Sequence, residues 1–163
     1  MSKSTNEKEK RVRIEEIMSK GLVTLSADST AFDAAKEMST KVTSSIITTD
    51  TGKTVGIVTE RDLVKQVCAK DLLSSKIPLT AIMSSPLITI NKNLLVEEAA
   101  RIMIKNKVRH LAVEEVNDHH IIGLISSTDL TRFLMDKLEL ESDTSSLLKA
   151  LYWEEEPLEE VDI

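Results

Sequence analysis

The chain has 163 residues, 41% of them hydrophobic, which is enough for one ordinary domain or two very small ones sharing a core and too much for wholesale disorder. Only Phe32, Phe133, Tyr152 and Trp153 are aromatic, so the core must be aliphatic, and the lone Cys68 excludes an intramolecular disulfide framework or a cysteine-based zinc site and fits a reducing compartment. The formal charge of −6 divides into +3 over residues 1–13, −1 over 14–135 and −8 over 136–163, which leaves no basic face for tracking a polynucleotide.

Residues 1–9 read as a flexible polar terminus without the apolar stretch of a signal peptide. No run approaches the roughly 18 to 20 apolar residues that span a bilayer, so a cytoplasmic protein with no membrane or nucleic-acid partner is expected. Ile17-Met18-Ser19 leads into a short hydrophobic strand at 22–25. Asp28 is then the expected N-cap of a helix whose Ala31, Ala34, Ala35 and Met38 form an i, i+3, i+4, i+7 face. Residues 45–48 are rich in branched side chains and read as a strand, followed by the turn Asp50-Thr51-Gly52-Lys53. The return strand at 55–58 is almost continuously apolar, which predicts burial on both faces. It ends in Thr59, an N-cap with Asp62 at the N3 position of a capping box. In the helix that follows, Val64 and Val67 are expected to face inward, with Cys68 as a buried thiol on the same face.

The series then repeats. Ile82-Met83-Ser84 and Leu87-Ile88-Thr89-Ile90 match the first copy at an offset of 65, as do Ala99, Ala100 and Met103. Asn93 takes the place of a second N-cap, and a strand is expected at 111–113. After the turn at 117–120 the offset becomes 67, and Gly56 to Leu63 aligns with Gly123 to Leu130. Ser126 and Asp129 thus repeat the capping pair. A helix over 128–141 is expected to present Leu130, Phe133, Leu134 and Leu138. Beyond it, Leu147, Leu148, Leu151, Tyr152 and Trp153 form an apolar patch before an acidic run, suited either to a short packing helix or to docking on a protein effector. Two copies of about 60 residues, each too small to bury its own sheet, should share one globule.

The recurring Met-Ser segment, hydrophobic strand and alanine-rich helix, closed by Gly56-x-x-Thr59-x-x-Asp62 and again by Gly123-x-x-Ser126-x-x-Asp129, resemble the cystathionine-beta-synthase (CBS) domain. Arg109-His110-Leu111-Ala112-Val113 is similar to the basic and aliphatic segment that precedes the family's hairpin. The resemblance covers about residues 10–135. It implies an α/β (α+β) fold of tandem CBS domains, a Bateman module, with each β-α-β-β-α unit related to the other by a pseudo-twofold axis. The divisions expected are 10–70 for the first domain, 71–135 for the second and 136–163 for an acidic C-terminal helix or tail.

The resemblance also implies a regulatory sensor, a homodimer, that binds an adenosine-containing nucleotide (AMP, ADP or ATP, with S-adenosylmethionine as a further ligand) in clefts between the repeats. The alternative is a non-catalytic scaffold with degenerate, empty clefts. By this resemblance Asp129 and Asp62 are the ribose ligands, since a carboxylate accepts two hydrogen bonds from a vicinal diol. Capping alone also accounts for both, at about 0.5–1 kcal/mol each. Ser126 with Thr128, and Thr59 with Arg61, are candidate phosphate contacts at helix N-termini. Arg109 and His110 add positive charge, with a structural histidine as the plainer reading of His110. Val23, Ile46, Ile88 and Ala112 are candidate walls for the adenine, and Ser85, Pro86 and Thr24 lie at the expected rim. Because Ser44-Ser45 stands where the second copy has Arg109-His110, one cleft is expected to be better equipped for phosphates unless Lys41 or Arg61 compensates. Neither a metal site nor a catalytic set is expected: His119 and His120 are adjacent in a turn, and Cys68 has no predictable histidine partner.

Overall fold

A computed structural model describes residues 11–118 and 120–139. Each repeat contributes a three-stranded mixed sheet. In the first, β1 (Thr24–Ser26) runs parallel to β2 (Ser45–Asp50), which pairs antiparallel with β3 (Lys53–Thr59). In the second, β4 (Thr89–Asn91), β5 (His110–Glu114) and β6 (Ile121–Ser126) repeat that order and those directions. Helices α2 (Ala31–Lys41) and α4 (Val96–Asn106) make the crossovers, while α3 (Glu60–Gln66) and α5 (Ser127–Glu139) follow the hairpins. The expected β-α-β-β-α unit is therefore present twice. A short α1 (Ile14–Ile17) precedes the first unit, and 3-10 turns, the last at Leu79–Ala81, connect the two. Among the described residues no helix is long and apolar enough to cross a membrane.

The cores do not follow the sequence repeats. The first gathers Ala31, Ala34 and Met38 from α2 with Ile46 and Val58 from the sheet, and it is completed by Leu79 and Ile82 from the connection. Ala99, Met103, Leu111, Val113 and Ile125 of the second repeat are completed instead by Ile14, with Ile17 and Met18 beside it. Each lead-in segment thus packs on the other repeat's core. It also joins that repeat's sheet. Ser84 exchanges backbone hydrogen bonds with Ile57 (3.1 and 2.9 Å), and Ser19 does the same with Leu124 (2.8 and 2.9 Å).

Several local expectations are corrected. Helix α2 is capped by Thr30, not Asp28: Asp33 Oδ2 accepts from Thr30 N–H at 2.8 Å and from its hydroxyl at 2.7 Å, and Asp33 N–H donates back at 3.2 Å. Helix α4 starts after Leu95, not Asn93, and the Val96 N–H donates to Val12 of the exchanged segment. The return strands are not buried on both faces, because Gly56 and Val58 are buried while Val55 and Ile57 are half-exposed. Val67 is buried as expected, but Val64 is exposed, and so is Cys68, which lies in a 3-10 turn beyond α3. On α5, Leu130 packs against the second core and Leu134 is exposed. The 147–153 patch and the acidic run lie outside the described residues.

Candidate functional site

A cleft of about 300 Å³ opens between the repeats, and its walls are crossed in sequence. From the first repeat come Ile57 on β3, Thr59 at the strand-to-helix junction, and Arg61 and Asp62 in the first turn of α3. From the second come Ser84, Pro86, Leu87 and Ile88 leading into β4, Lys107 and Val108 after α4, and Arg109, His110 and Ala112 at β5. The end of one repeat's hairpin therefore faces the beginning of the other's sheet. The bridge between Ile57 and Ser84 holds the two walls at a fixed spacing.

Asp62 is locked by its own helix start. Its Oδ2 accepts from Thr59 N–H at 2.8 Å and from the Thr59 hydroxyl at 2.7 Å. No described residue donates a hydrogen bond to Oδ1, so capping and ligand contact are compatible in this one side chain. Asp129 makes the same box with Ser126, at 2.7 and 2.6 Å, and its N–H donates to Ser126 Oγ at 3.2 Å. Its Oδ1 lies 3.8 Å from the guanidinium of Arg132.

The positive charge of the cleft is uncommitted. Lys41, Lys92 and Arg101 are paired with Glu37, Glu115 and Glu98. Arg61, Lys107 and Arg109 make no ion pair with a described residue, and all three line the cleft. His110 links the halves, with Nε2 3.1 Å from Ser44 Oγ of the other repeat. Burial, and then the neighbouring Arg109 charge, push its pKa below the ordinary histidine value, and Asp129 and Asp62 oppose that shift. The imidazole is thus held as a neutral hydrogen-bonding group at neutral pH.

Thr59, Arg61, Asp62, Ile88, Arg109, His110 and Ala112 are brought together here, along with Pro86. Asp129, Ser126 and Thr128 are not; they stand at the equivalent junction of the other repeat, where α5 begins. Ile46 sits in the first core and Val23 packs against that core, so neither is an adenine wall in this cleft. Lys41 is held by Glu37 and does not line it. Lys107 was not anticipated, although a lysine placed two residues before Arg109 was a readable signal of charge at that rim. A second groove of about 580 Å³ runs between the hairpins, with Lys53, Asp118 and His120 among its lining residues, so its charges are mixed. Among the described residues no group of three or more His, Cys, Asp or Glu is arranged to hold a metal ion.

A family model described as the CBS domain matches residues 14–69 and 79–136. An uncharacterised protein of Methanopyrus kandleri is 29% identical over 120 residues, covering 73% of this chain and 61% of its own length. An uncharacterised 17.7 kDa protein of Acidianus ambivalens is 34% identical over 108 residues, covering 66% of this chain and 63% of its own. The chain thus spans less than two thirds of the length of these relatives. Among solved structures, a conserved CBS domain protein of unknown function from Thermoplasma acidophilum aligns with a TM-score of 0.71 at 25% identity, over 86% of this chain and 75% of that one. The CBS domain pair of protein MJ0100, solved in complex with 5′-methylthioadenosine and S-adenosyl-L-methionine, aligns with a TM-score of 0.70 at 25% identity, over 78% of this chain and 98% of that one.

Proposed function

The chain belongs to the CBS domain family, as a tandem pair, and from that premise we propose that it is a regulatory module binding an adenosine-containing nucleotide, AMP, ADP or ATP, in the cleft between its repeats. CBS domains are regulatory modules rather than catalysts, so the module acts through ligand-dependent change, not turnover. One observation carries the reading. Three cations without ion-pair partners among the described residues, Arg61, Lys107 and Arg109, converge on a cleft that also holds Asp62, whose Oδ1 accepts from no described residue, and aliphatic walls at Ile88 and Ala112.

Each part suits one part of the ligand. Asp62 Oδ1 would accept from the ribose diol. Ile57, Ile88 and Ala112 offer an apolar slot to a purine, and the guanidinium groups of Arg61 and Arg109 suit phosphate oxygens bidentately. The phosphate contact rests on these side chains rather than on the end of α3, which is only seven residues long. S-adenosylmethionine, a cation at its sulfonium, would meet like charge here and should bind more weakly than a nucleotide.

The proposal takes residues 10–70 and 71–135 as the two domain copies, flanked by 1–9 and the acidic 136–163. It includes a cytoplasmic homodimer, supported by the exposed apolar side chains Phe32, Val64, Ile104 and Leu134 on four helices. A thermal-shift panel of AMP, ADP, ATP, NAD and S-adenosylmethionine tests the ligand class. A bound nucleotide raises the melting temperature by linkage, and Asp62→Ala should abolish the rise. If no member of the panel shifts the wild-type melting temperature, the reading fails.

A further inference from the structure

The nucleotide cleft has a pseudo-symmetric counterpart on the other side of the repeat interface. We propose that Ile47 fills that counterpart, so that one chain holds one nucleotide and the Ala112/Ile47 difference decides which side holds it. This rests on the nucleotide reading above and deepens it.

The sheet register fixes the equivalence. Ile47 is paired with Thr24 on one side and Ile57 on the other, as Ala112 is with Thr89 and Leu124. Side chains alternate along a strand. Ile46 enters the first core while Leu111 and Val113 enter the second, so Ile47 and Ala112 point the opposite way, toward the other repeat. Ala112 forms part of the cleft wall. Ile47 is fully buried yet belongs to neither core, so its larger side chain occupies the interface where Ala112 leaves room.

The charges change in the same direction. The sequence offsets of 67 and 65 set Thr128, Val42 and Ser44 in the places of Arg61, Lys107 and Arg109. A phosphate on that side would lose water and meet no cation at these three positions, which is unfavourable. Asp129, though it keeps the capping geometry of Asp62, is left with capping and its contact to Arg132.

Calorimetric titration of the full chain with AMP, ADP and ATP, each separately, tests this. The tightest of the three is expected to bind at one equivalent per chain. Ala112→Ile should weaken it at least tenfold, Asp62→Ala similarly, and Asp129→Ala less than twofold. The Asp129 variant keeps the test decisive if the isoleucine overpacks the fold. Two equivalents per chain, or a tenfold loss in Asp129→Ala, overturns the proposal while leaving the nucleotide reading intact. Failure of all three nucleotides to bind overturns both.

Discussion

Lys107 and Val42 hold the same unusual backbone position in the two repeats. Each follows a crossover helix as its C-cap, with φ of +56° and +48°, in the left-handed region where glycine is the easy residue. Holding an L side chain there costs about 1–2 kcal/mol. Part of that returns through the stiffer unfolded chain. Lys107→Gly and Val42→Gly should therefore each stabilise the free protein by about 0.5–1 kcal/mol. Only the first should weaken nucleotide binding, because only Lys107 lines the cleft. Chemical denaturation and titration of both variants check this, and equal effects on binding would remove Lys107 from the site.

His110 gives the cleft a pH dependence. Its folded-state pKa is depressed, so below the ordinary value of about 6.5 the unfolded chain binds the proton more readily than the folded one. The stability tied to the neutral imidazole is present above that value and is lost as pH falls through the window below it. Melting curves of wild type and His110→Gln between pH 7.5 and 5 should converge as the pH drops. Parallel curves would mean the ring titrates freely.

The elements themselves were largely legible, and the exceptions share a cause. Strand pairs, crossover helices and the Thr59/Asp62 and Ser126/Asp129 boxes follow from local pattern. Thr30-x-x-Asp33 carries the same signal as those boxes and outweighs Asp28 as the cap of α2. The start of α4 had no such signal, because Val12 of a distant segment, rather than a cap side chain, takes the Val96 N–H. Segment exchange also explains the glycine of each Gly-x-x-Thr/Ser-x-x-Asp motif. A Cβ on Gly56 would lie 2.8 Å from Met83 Sδ and 3.0 Å from Ser84 O. One on Gly123 would lie 2.8 Å from Ser19 O and 2.9 Å from Met18 Sδ. The glycine is the space through which the exchanged Met-Ser segment crosses the strand. Alanine at either position should cost about 1–3 kcal/mol. Gly123→Ala should be the worse, since its nearest neighbour is a backbone oxygen already bonded to Leu124 rather than a pliable thioether. Denaturation midpoints give the order, and an unchanged Gly123→Ala would show that the crossing is loose.

At the scale of the molecule, the exchange makes the two repeats one folding unit and makes the cleft a property of the pair. The crossed walls could not be read from the sequence: the motifs invite grouping Arg109 and His110 with Asp129 of their own copy alone, yet the carboxylate that lines the cleft with them is Asp62 of the other copy. The same crossing predicts where damage travels. Ile14 is fully buried and lies near the start of the first copy, but it belongs to the second core. Leu79, equally buried and beyond the first copy, belongs to the first core. Truncating either to alanine should cost about 2–5 kcal/mol. Hydrogen exchange should then show Ile14→Ala loosening β5 and β6 first, and Leu79→Ala loosening β2 and β3 first, each opposite to what proximity in sequence suggests. A stronger effect of Ile14→Ala on β2 and β3 would mean that the segment supports its own repeat's core rather than the other's. The expected pattern instead makes it the link that couples the two cores across the cleft.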